Sequence, residues 1–175
     1  MLYHSSKVRG MKTLEPHVST HGKAYVYATR NRITAICFGA PKDDFDLLMD
    51  ECDGKAVLFE CYPDALKRVY SGKSCSLYTV KEDGFIQGRT GWDEELVSEN
   101  SVEVLQEQII PDIYEFLMCA STKGDCMINL YSDDEEYTAM LREELSERII
   151  AFGISKEQMN NDWRFLKYFS KILDK

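Results

Sequence analysis

The sequence predicts an α+β protein in which most strands precede most helices. Up to about residue 110, short apolar or alternating segments are separated by turn residues, a pattern typical of strands. From Ile109 onwards, apolar residues recur every three or four positions, which is typical of amphipathic helices. The 175 residues are 44% hydrophobic and 29% charged, as in an ordinary folded domain with one sizeable core. We therefore expect an α+β core over residues 1–110, with a helical C-terminal extension over residues 111–175 packed on it.

The first strand predicted is "LYHSS", and it carries a histidine where a core strand normally has Val or Ile. The ring of His4 needs a hydrogen-bond partner there, either a neighbouring backbone group or a ligand in a pocket. Residues 7–22 show little periodicity and contain Gly10, Pro16 and Gly22, which indicates a long loop. "AYVYAT" then predicts a second strand.

Short helices alternate with strands in the middle of the chain. "NRITAICFG" predicts a helix with Thr29 or Asn31 as its cap and Gly39 as its stop. "KAVLFECY" is typical of a buried strand, and Pro63 opens a second short helix in "DALKRVYSG". The acid-rich "DDFDLLMDECDG" does not have the spacing of a calcium loop and indicates a solvated surface segment.

Further strands and then the helices follow. "SCSLYTV" and "GFIQG" predict two strands, and "EELVSENSVEVLQEQ" predicts one or two more, separated near Asn100. Helices are expected from Pro111, from the acidic "DDEE" up to Gly153, and from Ser155 onwards. "MINLY" is compatible with a strand or with the start of a helix.

Charge and composition exclude several classes of partner. The net charge of -9 and the lack of a Lys/Arg cluster disfavour nucleic acid. No apolar run approaches the length of a membrane span, and no signal-peptide pattern is present, so we expect a cytoplasmic protein that does not associate with membranes. The six cysteines form no CxxC motif and indicate mostly buried free thiols. His17 and His21 lie four apart in a loop without a third ligand nearby, so no metal is predicted.

Polar and aromatic residues on three of the predicted strands are candidates for a single functional site. His4 lies on the first strand, and Tyr25 and Tyr27 lie on one side of the second because side chains alternate along a strand. Glu94 and Glu95 open a later strand. Taken singly, each has a structural explanation: a hydrogen-bonded core histidine, packed tyrosines and a solvated strand end. One pocket could also gather all three groups.

These residues resemble the signature of the ADP-ribosyltransferase-like family, in its diphtheria toxin and poly(ADP-ribose) polymerase branch. The family has a histidine on the first strand, a tyrosine on a following strand that leads into a helix, and a glutamate that opens a later strand. "LYHSS" supplies His4, "GKAYVYATRNRITA" supplies Tyr27 and the helix, and "EELVSENSVEV" supplies Glu95. The likeness covers residues 1–110 in order and rough spacing.

The resemblance implies a fold of two small packed β-sheets with a cleft between them, and NAD as the substrate. It implies that His4 and Ser6 hydrogen-bond ribose and that the ring of Tyr27 packs against nicotinamide. It also implies that Glu95 acts as the catalytic carboxylate, since a fixed negative charge stabilises a developing oxocarbenium ion more than the neutral ground state. The loop from Lys7 to His21 would cover the adenosine side, with Arg9 placed for a pyrophosphate oxygen.

The sequence departs from the family pattern at three points. Ser5 stands where the family usually has Gly, so its side chain could crowd the ligand. Tyr25 competes with Tyr27 for the stacking role, and Glu94 and Glu99 compete with Glu95 for the acidic one.

Two functions therefore stay open. In the first, the chain binds NAD and transfers ADP-ribose to a macromolecule, such as a protein acceptor, or to water. In the second, it is a non-catalytic binding protein of the same fold with a degenerate NAD site, and its helical tail binds a partner. The oligomeric state is not predicted.

Overall fold

A computed structural model describes residues 1–18 and 22–173. The strands are β1 (Leu2–Ser6), β2 (Thr13–Leu14), β3 (His17–Val18), β4 (Ala24–Thr29), β5 (Leu47–Cys52), β6 (Lys55–Glu60), β7 (Cys75–Val80), β8 (Ile86–Gln87), β9 (Glu95–Ser98), β10 (Val102–Ile110) and β11 (Met127–Asn129). The helices are α1 (Arg32–Cys37), α2 (Ala65–Tyr70), α3 (Ile113–Thr122), α4 (Glu135–Ala151), α5 (Lys156–Asn161), a π-helix (Phe165–Phe169) and α6 (Ser170–Leu173). The predicted α+β class is confirmed.

Two sheets organise the chain. The larger sheet has eight strands in the order β2-β10-β7-β1-β4-β9-β8, and β3 pairs with β4 beside this path. The smaller sheet has three strands in the order β11-β6-β5, with β6 antiparallel to β5 and parallel to β11. The large sheet brings β1, β4 and β9 side by side, so it aligns the three strands on which the sequence places its candidate site.

The two strands that neighbour β1 are paired with it over different lengths. β1 is paired with β7 along its whole length, from Leu2 opposite Val80 to Ser6 opposite Ser76. Within the described residues it is paired with β4 only at Tyr3, which lies opposite Thr29. Beyond this position β1 contacts β4 and α1 through its side chains, because His4 lies against the carbonyl of Tyr27 and the hydroxyl of Ser5 donates to the carbonyl of Ala35.

Helix α1 follows β4 and joins the two sheets. The side chain of Asn31 caps the helix by accepting hydrogen bonds from the amides of Ile33 at 2.9 Å and Thr34 at 3.2 Å. Its amide nitrogen donates to Glu51 Oε2 at 3.1 Å, which ties the helix to β5 of the small sheet. Of the two caps predicted, Asn31 is the one found. Gly39 is required by packing rather than by a left-handed turn, because a Cβ there would lie 2.5 Å from the Sγ atom of Cys75.

The acidic segment predicted to be a solvated surface stretch exposes most of its carboxylates, but its apolar residues belong to the core, and for these residues the prediction is wrong. Residues 47–52 form β5, and Leu47 and Leu48 are buried together with the preceding Phe45. The strand turns into β6 through Asp53 and Gly54, which have φ of 51° and 75°. A two-residue Asp-Gly turn with two positive φ angles matches the twist of a hairpin, and it is the local signal for this element.

A buried carboxylate organises the start of α2. Asp64, at the N-cap, has a left-handed φ of 61° and its side chain makes no capping bond. Glu60, only 4% exposed, accepts a hydrogen bond from the amide of Leu66 at 2.8 Å and another from the amide of Tyr131 at 3.1 Å. Glu60 therefore joins β6, α2 and the segment after β11.

Residues beyond 110 share the core with the rest of the chain. β11 completes the small sheet by pairing with β6, so "MINLY" contains a strand. One large cluster of buried side chains draws on α1, β5, α3, α4 and the π-helix; its members include Ile36, Leu47, Leu117, Leu141 and Phe169. A second cluster lies under β1, β4, β7 and β9 and includes Leu2, Val26, Tyr78 and Leu96.

The single helix expected from Ser155 onwards is interrupted. Helix α5 ends at Asn161, and Asp162 adopts an extended backbone with φ of -99° and ψ of 118°. The side chain of Asp162 accepts a hydrogen bond from the amide of Arg164 at 2.8 Å, so it caps the helical turn at residues 163–164 that leads into the π-helix. Helical spacing of the apolar residues does not reveal this break, because the spacing continues across it from Met159 to Phe169.

The thiols follow the prediction from the sequence. All six cysteines are free and four are buried, namely Cys37, Cys61, Cys75 and Cys126. Burial raises the pKa of the Cys37 thiol to about 12. Within the described residues, no helix is both long enough and apolar enough to cross a membrane.

Candidate functional site

Strands β1, β4 and β9 place the predicted tyrosine and glutamate beside each other. Tyr3, Thr29 and Glu95 form one row across the three strands, because Thr29 lies opposite both of the others. Tyr27 lies two residues before Thr29 and therefore on the same face of β4, opposite Val97. Tyr27 and Glu95 are thus diagonal cross-strand neighbours, a relation in which Cβ atoms are separated by roughly 7–8 Å.

The ring of His4 lies against the backbone of β4. Its Nδ1 atom is 2.7 Å from the carbonyl oxygen of Tyr27, and its ring centroid is 6.5 Å from that of Tyr78. Burial lowers the pKa of His4; the Tyr27 carbonyl acts in the opposite direction, and the nearby charge of His17 lowers it further. A neutral ring must donate from Nδ1 to the carbonyl, so Nε2 becomes its acceptor nitrogen. The backbone partner expected for His4 is therefore present, and it occupies Nδ1.

Aromatic rings from β3 and β4 contact the ring of Tyr27. The ring of Tyr25 contacts it edge-on at a centroid distance of 5.9 Å and an angle of 85°. The ring of His17 contacts it at 5.8 Å and 61°. Tyr25 is only 7% exposed and lies opposite His17 in the β3–β4 pair, whereas Tyr27 is half-buried. The greater exposure of Tyr27 favours it over Tyr25 as the residue that could stack on a ligand.

The three candidate acids have different surroundings. Glu99 is exposed and forms an ion pair with Lys23 at 2.5 Å, which lowers its pKa. Burial raises the pKa of Glu94, and the charges of Glu51 and Asp93 raise it further. Glu95 is half-buried at the first position of β9. Only Glu95 of the three lies on the row that contains Tyr3 and Thr29.

Ser5 and Ser6 lie on the half of β1 beyond its pairing with β4 at Tyr3. The hydroxyl of Ser5 donates to the carbonyl oxygen of Ala35 in α1 at 2.5 Å, so this side chain is directed towards the helix. The hydroxyl of Ser6 accepts a hydrogen bond from the amide of Val8 at 3.1 Å. Ser6 thereby shapes the turn by which the chain leaves β1.

Arg9 lies near the end of β1 where Ser6 is found. Its guanidinium donates to the hydroxyl of Ser74 at 3.3 Å, directly before β7, whose Ser76 lies opposite Ser6. Arg9 is exposed. The structure therefore groups Ser6 and Arg9 at one end of β1, on the far side of His4 from Tyr3.

The segment predicted to be a long loop is attached to the large sheet at several points. The hydroxyl of Tyr78 donates to the carbonyl oxygen of Val8 at 2.7 Å and accepts from the amide of Met11 at 3.3 Å. The carboxylate of Glu107 accepts from the amide of Gly10 at 3.0 Å. The segment also forms two short strands, β2 against β10 and β3 against β4, which its irregular sequence did not predict.

One site residue was missed by reasoning from the sequence. His17 was considered there only as half of a metal-binding pair, and its proposed companion His21 lies outside the described residues. Among residues 1–18 and 22–173, no group of three or more His, Cys, Asp or Glu side chains could hold a metal ion. The contact between His17 and Tyr27 depends on the pairing of β3 with β4, so no local sequence pattern predicts it.

The chain was compared with known proteins at three levels. No protein-family model, no curated protein and no solved structure matches it. The function must therefore be inferred from the residues and their geometry.

Proposed function

We propose that this chain is an ADP-ribosyltransferase-like protein that binds NAD beside β1, β4 and β9. The observation that carries the proposal is the placement of Tyr27 and Glu95 as diagonal neighbours on one face, with His4 bonded to the carbonyl of Tyr27. These three residues come from distant parts of the sequence. Tyr27 and Glu95 meet on one face of adjacent strands, as the family resemblance requires of them. His4 follows Tyr3 in β1, so its side chain leaves the strand on the other face and contacts only the backbone of Tyr27.

The arrangement suits cleavage of the bond between nicotinamide and ribose. The electron-rich face of Tyr27 would support the cationic nicotinamide ring. As the carbon–nitrogen bond breaks, its electron pair leaves with neutral nicotinamide and positive charge develops on the ribose. The carboxylate of Glu95 would stabilise that charge. A nucleophilic oxygen or nitrogen of the acceptor, or of water, then bonds to the ribose carbon and gives up its proton.

The other residues have supporting roles in this proposal. The acceptor nitrogen Nε2 of His4 would take a hydrogen bond from a ribose hydroxyl. Ser6 and Arg9, grouped at one end of β1, would contact ribose and pyrophosphate respectively. The side chain of Ser5 is held by the Ala35 carbonyl, so the replacement of the family's glycine can leave the backbone at this position accessible to a ligand.

We propose further that the protein acts in the cytoplasm, with a protein as the most suitable acceptor. A reducing compartment agrees with six free cysteines. The net charge of -9 disfavours nucleic acid as an acceptor, because phosphate backbones would be repelled.

A matched pair of acidic variants tests the proposal. NAD binding is measured by titration calorimetry, and released nicotinamide is quantified for the wild type, Glu95→Gln and Glu99→Gln. Glu95→Gln should retain NAD binding and lose nicotinamide release by roughly 100- to 1000-fold, the usual effect of removing one transition-state-stabilising group. Glu99→Gln removes the same charge from an exposed ion pair nearby and should leave both quantities unchanged.

Two results would contradict the proposal. Absence of NAD binding by the wild type at millimolar NAD would exclude the NAD site and leave the non-catalytic binding protein as the remaining function. Equal loss of release in Glu95→Gln and Glu99→Gln would show that the surface charge matters and that position 95 has no special role.

A further inference from the structure

The ring of Tyr27, which we propose for nicotinamide stacking, is contacted by a side chain that could move away. Tyr27 is contacted by Tyr25, which is buried and belongs to the same strand, and by His17, which belongs to β3. Both residues of β3, His17 and Val18, are exposed. Of these two contacts, which involve described residues, the one from His17 can therefore be withdrawn without disturbing the core.

β3 is weakly attached in comparison with the segment before it. That segment is fixed by Tyr78, by Glu107 and by the pairing of β2 with β10. β3 is paired with β4 at two register positions, His17 opposite Tyr25 and Val18 opposite Ala24. Among the contacts of the described residues, detachment of β3 would break this short ladder and the aromatic pair of His17 with Tyr27. The aromatic pair corresponds to about a two- to tenfold change in an equilibrium constant.

We propose that His17 is an autoinhibitory contact: β3 covers the Tyr27 ring in the unliganded protein and must leave β4 before a planar, cationic ligand ring can stack there. This inference rests on the proposed function, because it concerns access to the same site. His17 also interacts electrostatically with His4, so withdrawal of β3 alters the surroundings of the second ligand-contacting residue as well.

Removal of the His17 ring tests this directly. His17→Ala should bind NAD about two- to tenfold more tightly than the wild type, since the ligand no longer has to displace the ring. Val18→Ala is the matched control, because Val18 is the other residue of β3 and its side chain is 68% exposed. Val18→Ala should bind NAD like the wild type. In a Tyr27→Leu background, His17→Ala should have no effect on affinity, since its ring contact is already lost.

A covalent lock gives a second test. Val18 and Ala24 lie directly opposite each other, so the pair Val18→Cys and Ala24→Cys can form a disulfide that fixes β3 on β4. The exposed Cys52 and Cys119 are first replaced by Ser to prevent mispairing. The oxidised protein should bind NAD at least about tenfold more weakly than the reduced protein, and reduction with dithiothreitol should restore wild-type affinity.

The outcomes separate this inference from the proposed function. If the wild type binds NAD but His17→Ala binds no more tightly and the locked protein binds equally well, the NAD site stands and the autoinhibitory role of His17 is refuted. If His17→Ala binds NAD more weakly, His17 is a ligand contact and the inference is also refuted. If no variant binds NAD, the proposed function and this inference fail together.

Discussion

Two regions of the molecule bury a basic side chain, and they use it differently. Near the C-terminus the guanidinium of Arg164, whose side chain is 10% exposed, is surrounded by carboxylates. Near the N-terminus the imidazole of His4 has a lowered pKa because of burial, and it is bonded to a backbone carbonyl. Carboxylates balance the positive charge of Arg164, whereas burial of His4 favours its neutral form.

The partners of Arg164 come from two distant segments. Its Nη1 atom lies 2.6 Å from Asp43 and 2.8 Å from Asp46, and its Nη2 atom lies 2.6 Å from Asp162. The hydroxyl of Tyr62 donates to Asp46 at 2.8 Å. Burial alone would raise the pKa of Asp43, but hydrogen bonds from Arg164 lower it overall. Every charge in this cluster is used to fix the C-terminal segment on the core.

Aromatic packing strengthens the same region. Tyr62 stacks on Tyr168 with ring centroids 5.8 Å apart and an angle of 13°, and Phe165 and Phe169 pack against Phe45. The comparison teaches that buried polarity has a structural role where side chains from several elements satisfy it. Where a strand backbone satisfies only one side of a ring, as at His4, the other side can serve recognition.

The largest effect is expected from removal of the C-terminal region. A chain ending at Ile110 loses β11 from the small sheet and exposes the side of the large core that Leu117, Leu141 and Phe169 cover. We expect this truncated chain to lack a cooperative unfolding transition, because too little apolar area remains buried. Circular dichroism during thermal unfolding measures this. A cooperative transition close to that of the full chain would mean that residues 1–110 fold independently, and would contradict this expectation.

Arg164→Met should have the next largest effect. It leaves Asp46 and Asp162 partly buried without their cation, and removal of one partner from such a cluster costs about 3–5 kcal/mol of unfolding free energy. The value is measured by urea denaturation. Lys23→Met is the control, because it breaks an exposed ion pair with Glu99 and should leave the unfolding free energy nearly unchanged. Similar losses of unfolding free energy in the two variants would show that the Arg164 cluster stabilises the fold no more than an exposed ion pair does.

Asn31→Ala should cost about 1 kcal/mol, since it removes the cap of α1 and the bond to Glu51. This helix connects the candidate site to the small sheet, so the variant tests how strongly the two regions depend on each other. Unfolding in urea gives the value. Asn100→Ala, at an exposed position between β9 and β10, should change stability by less than about 0.5 kcal/mol.

The smallest effect concerns pH. The pKa of His4 in the folded protein lies below its ordinary value of 6.5, so the unfolded chain takes up a proton that the folded protein resists. The stability that neutral His4 contributes is therefore complete above pH 6.5 and is lost as the pH falls below it. His4→Gln should show a shallower loss of unfolding free energy between about pH 7 and pH 5. Parallel curves for the two proteins would show that protonation of His4 is not linked to folding.

Local patterns predicted much of the architecture. The cap at Asn31, the two strands separated near Asn100 and the buried free thiols all depend on neighbours in the sequence or on composition. The acidic segment around β5 was assigned to the surface, because its carboxylates masked the buried Phe45, Leu47 and Leu48. The interruption at Asp162 was missed because apolar spacing continues across it.

Residue order and composition were enough to predict the α+β class, most of the elements and the residues that we propose for NAD binding. They were enough because turns, caps and side-chain periodicity are properties of short segments. Three contacts became visible in the folded protein alone: Glu95 lies beside Tyr27, the ring of His17 contacts that of Tyr27, and Arg164 binds three aspartates. These contacts join residues that are up to 121 positions apart, and they depend on strand register and packing rather than on any local preference of the chain.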